Sequence, residues 1–246
     1  MPALMNPTRL GTKAFQTLDQ RKRDRILSAA LEEFAANGYR HASMNAIVKK
    51  AGISKGSLFW YFRSKGLLFS AIVDAAVEEV KKSLRLVRFH TANMDFSCRL
   101  EMFIRAGVQF IDAHPLLARI YFHLLQSGEA PFGAERVAEL RKLSVTFFSD
   151  LIREGIGRGE LRSDLPVLHA AFLMNCMLEG LLRAYHTQFL AEGLNIYKAD
   201  DDAIEQWIRS ASDLLHRGMA SAREAQGNLV KNLAEVKTIS ERGEQS

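Results

Sequence analysis

Apolar residues recur three and four positions apart along most of this 246-residue chain, which is the period of one helix face. No convincing run alternates as a strand would. The clearest case spans residues 43–65. Met44, Ile47, Val48 and Ala51 fall at i, i+3, i+4 and i+7, so they line one face of a helix that Ser43 can cap. Gly52 stands where that helix must stop, because without a Cβ it accepts the left-handed conformation of a sharp C-terminal turn. Ser54 can then cap a second helix, whose inner face is Leu58 and Phe62, again four apart. Two helices joined by a short turn containing Gly describe a helix-turn-helix, whose second helix can lie in a DNA major groove.

The same pattern divides the rest of the chain. Residues 1–19 carry Pro2, Pro7 and Gly11 with little periodicity and read as a flexible arm. Arg9 and Lys13 on it can touch a phosphate backbone, and a tail without a role is the equal alternative. Asp19 opens a helix striped by Ile26, Ala29, Ala30 and Phe34, which ends at Asn37-Gly38. Ser64 caps a long helix running to about residue 87. Helices over 95–113, 116–126 and 134–155 follow, the first broken by His114-Pro115 because Pro disfavours helix in the residue before it. A loop covers 128–133. Gly155, Gly157, Gly159 and Pro166 mark a connector; it lacks the preceding strand and the GKS or GKT ending of a phosphate-cradling loop. Two more helices span 166–190 and 202–225, and the charged tail beyond Gly227 is a frayed helix or disordered. The expected class is all-α, with an arm at 1–19, a helix-turn-helix domain at 20–66, a helical body at 67–226 and a tail at 227–246.

Composition adds a direction to this plan. Nearly half of the residues, 48%, are apolar, ample for a core, and five prolines favour long helices over loops. The net charge of +5 is unevenly spread. Residues 1–66 hold 12 Lys+Arg against 4 Asp+Glu, a local balance of +8, whereas the remaining 180 residues hold 21 against 24. A basic N-terminal quarter on a slightly acidic body points to a polyanion partner for that quarter alone. Cys98 and Cys176 are far apart and lack paired metal-ligand spacing, which suits small buried residues in a reducing compartment, with a disulfide or redox switch as the alternative. His90, His114, His123, His169 and His186 are scattered and form no HExxH, so no metal or cofactor is expected. Residues 165–190 are the most hydrophobic stretch, but Asn175, Glu179 and Arg183 interrupt it, which argues against a membrane span. No apolar segment of signal-peptide length stands at the N-terminus, and a cytoplasmic protein is expected. Glu179 and Arg183, four apart, are expected to pair with each other or across a dimer. Phe103, Phe110, Tyr121, Phe122, Phe147, Phe148 and Phe172 form an aromatic set that serves either as plain core or as the lining of an apolar ligand pocket.

Two segments carry a family likeness. Arg25 to Tyr39 (RILSAALEEFAANGY) and Ala51 to Lys65 (AGISKGSLFWYFRSK) resemble the N-terminal domain of the TetR family of bacterial repressors. The resemblance is specific over residues 21–70; beyond them it extends only to the helical plan. It implies a homodimer that binds double-stranded operator DNA through a three-helix N-terminal domain and is released by a small-molecule inducer held in the helical body. It also implies DNA-contacting roles for Ser43, Asn45, Lys55, Gly56, Ser57, Trp60, Tyr61 and Lys65. Such roles make physical sense, since lysines and helix N-termini neutralise phosphates while short hydroxyls and amides read base edges. Phe59 stands where the family more often has Tyr, and Gly66 where Glu is common. The expectation is a ligand-responsive repressor without catalytic activity, with a hydrophobic inducer. The alternative is a helical carrier or enzyme that uses the apolar pocket, for which the sequence offers no nucleophile–base pair.

Overall fold

The computed structural model describes residues 11–127, 133–190 and 192–221. Its described residues form ten helices: α1 (Lys13–Gln16), α2 (Gln20–His41), α3 (Met44–Ala51), α4 (Lys55–Phe62), α5 (Lys65–His90), α6 (Phe96–Ala113), α7 (Pro115–Ser127), α8 (Gly133–Gly157), α9 (Val167–His186) and α10 (Asp201–Met219). No strand occurs among them, and a single isolated bridge pairs Leu161 with Ala220. The class is all-α. Arg9, most of the 128–133 loop and the 227–246 tail lie outside the described residues.

Local chemistry starts and stops these helices. The carboxylate of Asp19 accepts from the Lys22 N–H at 3.3 Å and caps α2. Ser43, Ser54 and Asp200 cap α3, α4 and α10 in the same way. The Ser64 hydroxyl accepts from the Leu67 N–H at 3.1 Å, and the Asp95 carboxylate from the Cys98 N–H at 2.8 Å. Helical geometry in α2 is interrupted at Gly38 (φ 65°, ψ 180°), where the sequence places the end of that helix. Only the N-terminal segment departs in kind. Residues 13–16 are helical and Phe15 is fully buried, where the sequence suggests a flexible arm. Only Ala14 and Phe15 of that short helix are apolar, so no periodicity announces it.

The chain divides into two compact units. The first comprises the described residues of 1–89 and 106–141. Its core is one continuous apolar cluster in which Ile26, Phe34, Ile47, Leu58 and Phe62 join Leu68 and Ile72 of α5 and Leu117, Ile120 and Leu124 of α7. The sequence places a domain boundary at 66/67; here the helix-turn-helix shares its core with α5 and α7. The second unit comprises the described residues of 90–105 and 142–221. Phe96, Leu100, Ile104, Ile152, Met174 and Ile208 are buried in it. Two ion pairs tie its helices: Arg99, itself buried, to Glu154 at 2.8 Å, and Arg105 to Glu205 through two bonds of 2.7 and 2.5 Å. In the second pair the Arg105 guanidinium holds the Glu205 carboxyl below its usual range.

Over its first half, one face of α9 in this unit is largely apolar and open, with His169 exposed on it. Leu168 and Leu173 are 65% and 64% exposed, and Phe172 and Cys176 lie on the same side; Cys98 and Cys176 are both exposed, where the sequence suggests burial. On α10, Leu214 is exposed as well. By length and composition α9 can cross a membrane, with a mean hydropathy of 1.3 over its most apolar window. Glu179 and Arg183 are half-buried on it, and no ion pair joins them to each other among the described residues.

Candidate nucleic-acid interface

The three helices α2, α3 and α4 build a reading head. At its turn, Gly52 takes the left-handed conformation (φ 64°, ψ 42°) that the sequence requires of it. The Ile53 N–H reaches back to the Val48 carbonyl at 3.1 Å, closing a Schellman-type end on α3. The Ser54 hydroxyl accepts from the Ser57 N–H at 3.1 Å and lies 2.8 Å from the Ser57 hydroxyl. These bonds fix the angle at which α4 leaves the turn, while Leu58 and Phe62 bury its inner face.

The outward face of the head is basic, and three of its four acids are engaged within the head. Glu32 pairs with Lys50, whose hydrogen bond holds the Glu32 carboxyl below the usual carboxylate range. Glu33 accepts from the backbone N–H of Ser43 at 2.8 Å and from the Asn37 amide at 3.0 Å, and Asp19 caps α2. Lys49, Lys55 and Arg63 remain exposed. A surface with most of its acids engaged and Lys49, Lys55 and Arg63 exposed carries a positive potential toward a phosphate backbone.

The residues that the family likeness singles out fall into three groups. Ser43, Asn45, Lys55, Gly56 and Trp60 are exposed, with Ser57 half-buried beside them at the start of α4; Trp60 is 70% exposed. Tyr61 is buried, at 7% exposure, and its ring packs 5.9 Å from that of Phe15. Lys65 is turned inward. Its ammonium donates to the Arg40 carbonyl at 3.0 Å and the Ala42 carbonyl at 2.9 Å, and lies 4.8 Å from the centre of the Tyr39 ring. Lys65 thus neutralises the carbonyl end of α2, the end at which the helix dipole is negative. Tyr61 and Lys65 therefore hold the head together in this structure.

Two positioning groups escaped the sequence pattern. Glu33, which fixes the start of α3, looks like any solvated acid on a helix. Arg23 donates to the carbonyls of Gln16 at 2.7 Å and Leu18 at 2.8 Å, and so ties the end of α1 to α2. Charge alone could not distinguish it from its basic neighbours.

The expected aromatic set is distributed over both units. In the second, Phe103 meets Phe147 edge to face at 4.9 Å, and Phe147 meets Phe148 at 5.4 Å. In the first, Tyr121 packs on Phe122 at 5.6 Å and Phe110 on His114 at 4.9 Å. Phe172 stands apart on the exposed face of α9.

A short three-helix head with a glycine turn, a basic outer face and an exposed second helix defines a helix-turn-helix DNA-binding protein. The family model of bacterial regulatory proteins of the tetR family matches residues 26–79, and a tetracyclin repressor-like C-terminal domain matches residues 94–220. The chain belongs to the TetR family of transcriptional regulators. A TetR-family regulator from Chloroflexus aurantiacus has a similar structure, with 30% identity, a TM-score of 0.68, and coverage of 86% of this chain and 99% of that one. The transcriptional repressor NicS of Pseudomonas putida is 26% identical over 220 residues, covering 87% of this chain and 99% of its own. The regulator YdgC of Bacillus subtilis is 32% identical over 104 residues, which span 42% of this chain and 53% of that relative.

Proposed function

We propose that this regulator is a homodimeric repressor, released from a palindromic operator by a small hydrophobic inducer. One observation carries the DNA part: α4 presents Lys55, Gly56, Ser57 and Trp60 outward from a rigidly capped turn, while three of the four acids of residues 1–66 are engaged within the head. In this reading Ser43 and Lys55 contact phosphates, Asn45 and Ser57 reach base edges, and Gly56 lets the backbone approach closely. Trp60 packs against the sugar–phosphate wall. Tyr61 and Lys65 act indirectly, by holding the helices that make those contacts.

Two copies place their α4 helices in successive major grooves about 34 Å apart, one helical turn. The open apolar face of α9, with Leu214 of α10, supplies the surface for pairing, and Phe172 belongs to it rather than to a ligand site. Repression is supported by the name of the Pseudomonas putida relative. The inducer engages aromatic residues of the first unit, Phe110, Tyr121 and Phe122. It acts only through its different affinity for the DNA-bound and released states. Within the first unit, α7 is packed on α2, so a shift of α7 reaches the head directly. The protein acts in the cytoplasm, on chromosomal DNA.

Anisotropy titrations against the promoter region of its own gene test the reading. Binding should weaken steeply between 50 and 200 mM salt, as several released counterions require. Native mass spectrometry of the purified protein should show a bound small apolar molecule that lowers operator affinity when added back. Absence of binding to any genomic fragment defeats the proposal.

A further inference from the structure

The segment just before the matched DNA-binding region has a partner of interest. The family model begins at residue 26, whereas α1 and its flanks occupy residues 11–18. They lie against the C-terminal end of α4. A helix leaves its last four carbonyls without intrahelical partners, and in α4 these belong to Phe59, Trp60, Tyr61 and Phe62. Two are satisfied nearby: Arg63 donates its N–H to Phe59 at 2.7 Å, and Ser64 donates to Phe62. The other two are satisfied by one distant residue. Thr12 donates its hydroxyl to the Trp60 carbonyl at 3.2 Å and its N–H to the Tyr61 carbonyl at 2.9 Å.

The surroundings of Thr12 hold it to this task. Gly11 adopts φ +64°, and a Cβ there would lie 2.9 Å from the Tyr61 carbonyl oxygen and 3.1 Å from Phe15 and Phe62 atoms. Phe15 is fully buried, with its ring 4.6 Å from that of Phe62. Arg23 then clamps the carbonyls of Gln16 and Leu18 from the far side. A glycine in the left-handed region, a buried aromatic and an arginine clamp thus converge on one eight-residue segment.

We propose that residues 11–18 are a working part of the reading head, in which Thr12 caps the recognition helix α4 from outside and fixes the pose of that helix, and with it of Ser57, for operator discrimination. Trp60 is the exposed residue whose own carbonyl Thr12 holds. Loosening that end of α4 lets the outward side chains fluctuate, which lowers the preference for correct base pairs more than general attraction to phosphates. Thr12 is a positioning residue in this scheme and touches no DNA. The inference rests on the reading of α4 as the DNA-recognition helix.

Full-length Thr12→Val, Thr12→Ser and Gly11→Ala proteins test it. The probes are a duplex enriched from a randomised pool by the wild-type protein and a scrambled duplex of equal length and composition. Thr12→Val should weaken binding to the enriched duplex about three- to fivefold, as loss of one ordinary hydrogen bond implies, and leave the scrambled duplex within about twofold. Gly11→Ala should exceed tenfold on the enriched duplex, and Thr12→Ser, which keeps the hydroxyl, should restore wild-type discrimination. Amide exchange should quicken over residues 58–63 in Thr12→Val and not over α3. An unchanged ratio of the two affinities in both Thr12→Val and Gly11→Ala overturns the proposal. So does an equal loss on both duplexes accompanied by a fall in melting temperature, because a purely structural role predicts that. If the wild-type protein enriches no duplex, the DNA reading itself fails, and the exchange data still decide whether Thr12 caps α4.

Discussion

Gly56 is an odd residue to find in the first turn of a recognition helix. Glycine gives up more conformational freedom on folding than any other residue, and nothing inside the protein demands it there. A Cβ at that position would meet only the Ser54 hydroxyl oxygen, at 3.9 Å, an ordinary contact. The free space is on the outside, where DNA is expected. Gly56→Ala should therefore raise unfolding stability by up to about 1 kcal/mol in urea melts while weakening operator binding in the same preparation. A variant that gains stability and keeps full affinity would show that no close approach occurs at residue 56. Lys65 makes the opposite case. Its ammonium is engaged by two carbonyls at the end of α2. Lys65→Ala should lower stability by about 1.5–3 kcal/mol, the range for hydrogen bonds to charged groups, and weaken binding to all duplexes alike. Equal stability with reduced DNA affinity would instead return Lys65 to the phosphate-contacting role that the family likeness implies.

At the level of elements, the junction of α6 and α7 gives a test that needs no DNA. His114 ends α6 against Phe110, and its Nδ1 is buried without a hydrogen-bond partner. Burial lowers its pKa below the ordinary histidine value, and the nearby charge of Glu79 opposes that only in part. The unfolded chain therefore takes up the proton first as pH falls. Stability is full above the unfolded pKa of about 6.5, and declines as pH drops from there toward the lowered folded value. His114→Gln should flatten this decline between pH 7 and 5 in paired urea melts; an unaltered slope would show that the imidazole stays solvated. This junction was legible in the sequence, because a Pro at 115 dictates a break whatever the packing. The capped helices were legible for a similar reason: Asp19, Ser43, Ser54 and Ser64 act on their own neighbours, and the bonds they make are set by spacing along the chain. Contacts between segments distant in sequence were not legible. Neither Thr12 on the Trp60 carbonyl nor Lys65 on the end of α2 follows from any local pattern. Tyr61 was misleading in the same way. It sits beside an exposed tryptophan in the motif, yet it is buried, with the ring of Phe15, forty-six residues earlier, packed beside it.

For the whole molecule, function in the proposed scheme depends on pairing, and the surface available for it is the apolar face of α9. Periodicity could not tell this face from a core face, since both need the same residues at the same spacing. Exposure separates them: Ala171, Met174 and Leu178 are buried, whereas Leu168, Phe172 and Leu173 are open. Apolar side chains clustered on one face mark an interaction site more often than scattered ones do. Leu173 serves the test well, because it contributes little to the core of its own subunit. Leu173→Glu should leave the melting behaviour of the isolated subunit nearly unchanged. It should also shift sedimentation from dimer to monomer at micromolar protein, because two uncompensated carboxylates would be buried at a symmetric contact. Affinity for a palindromic duplex should then fall by about a hundredfold or more, as the second half-site loses its effective concentration. Affinity for a single half-site should not change. Retention of the dimer in Leu173→Glu would place the pairing surface elsewhere. A monomer that still binds the palindrome at full strength would separate pairing from DNA recognition and leave one reading head sufficient.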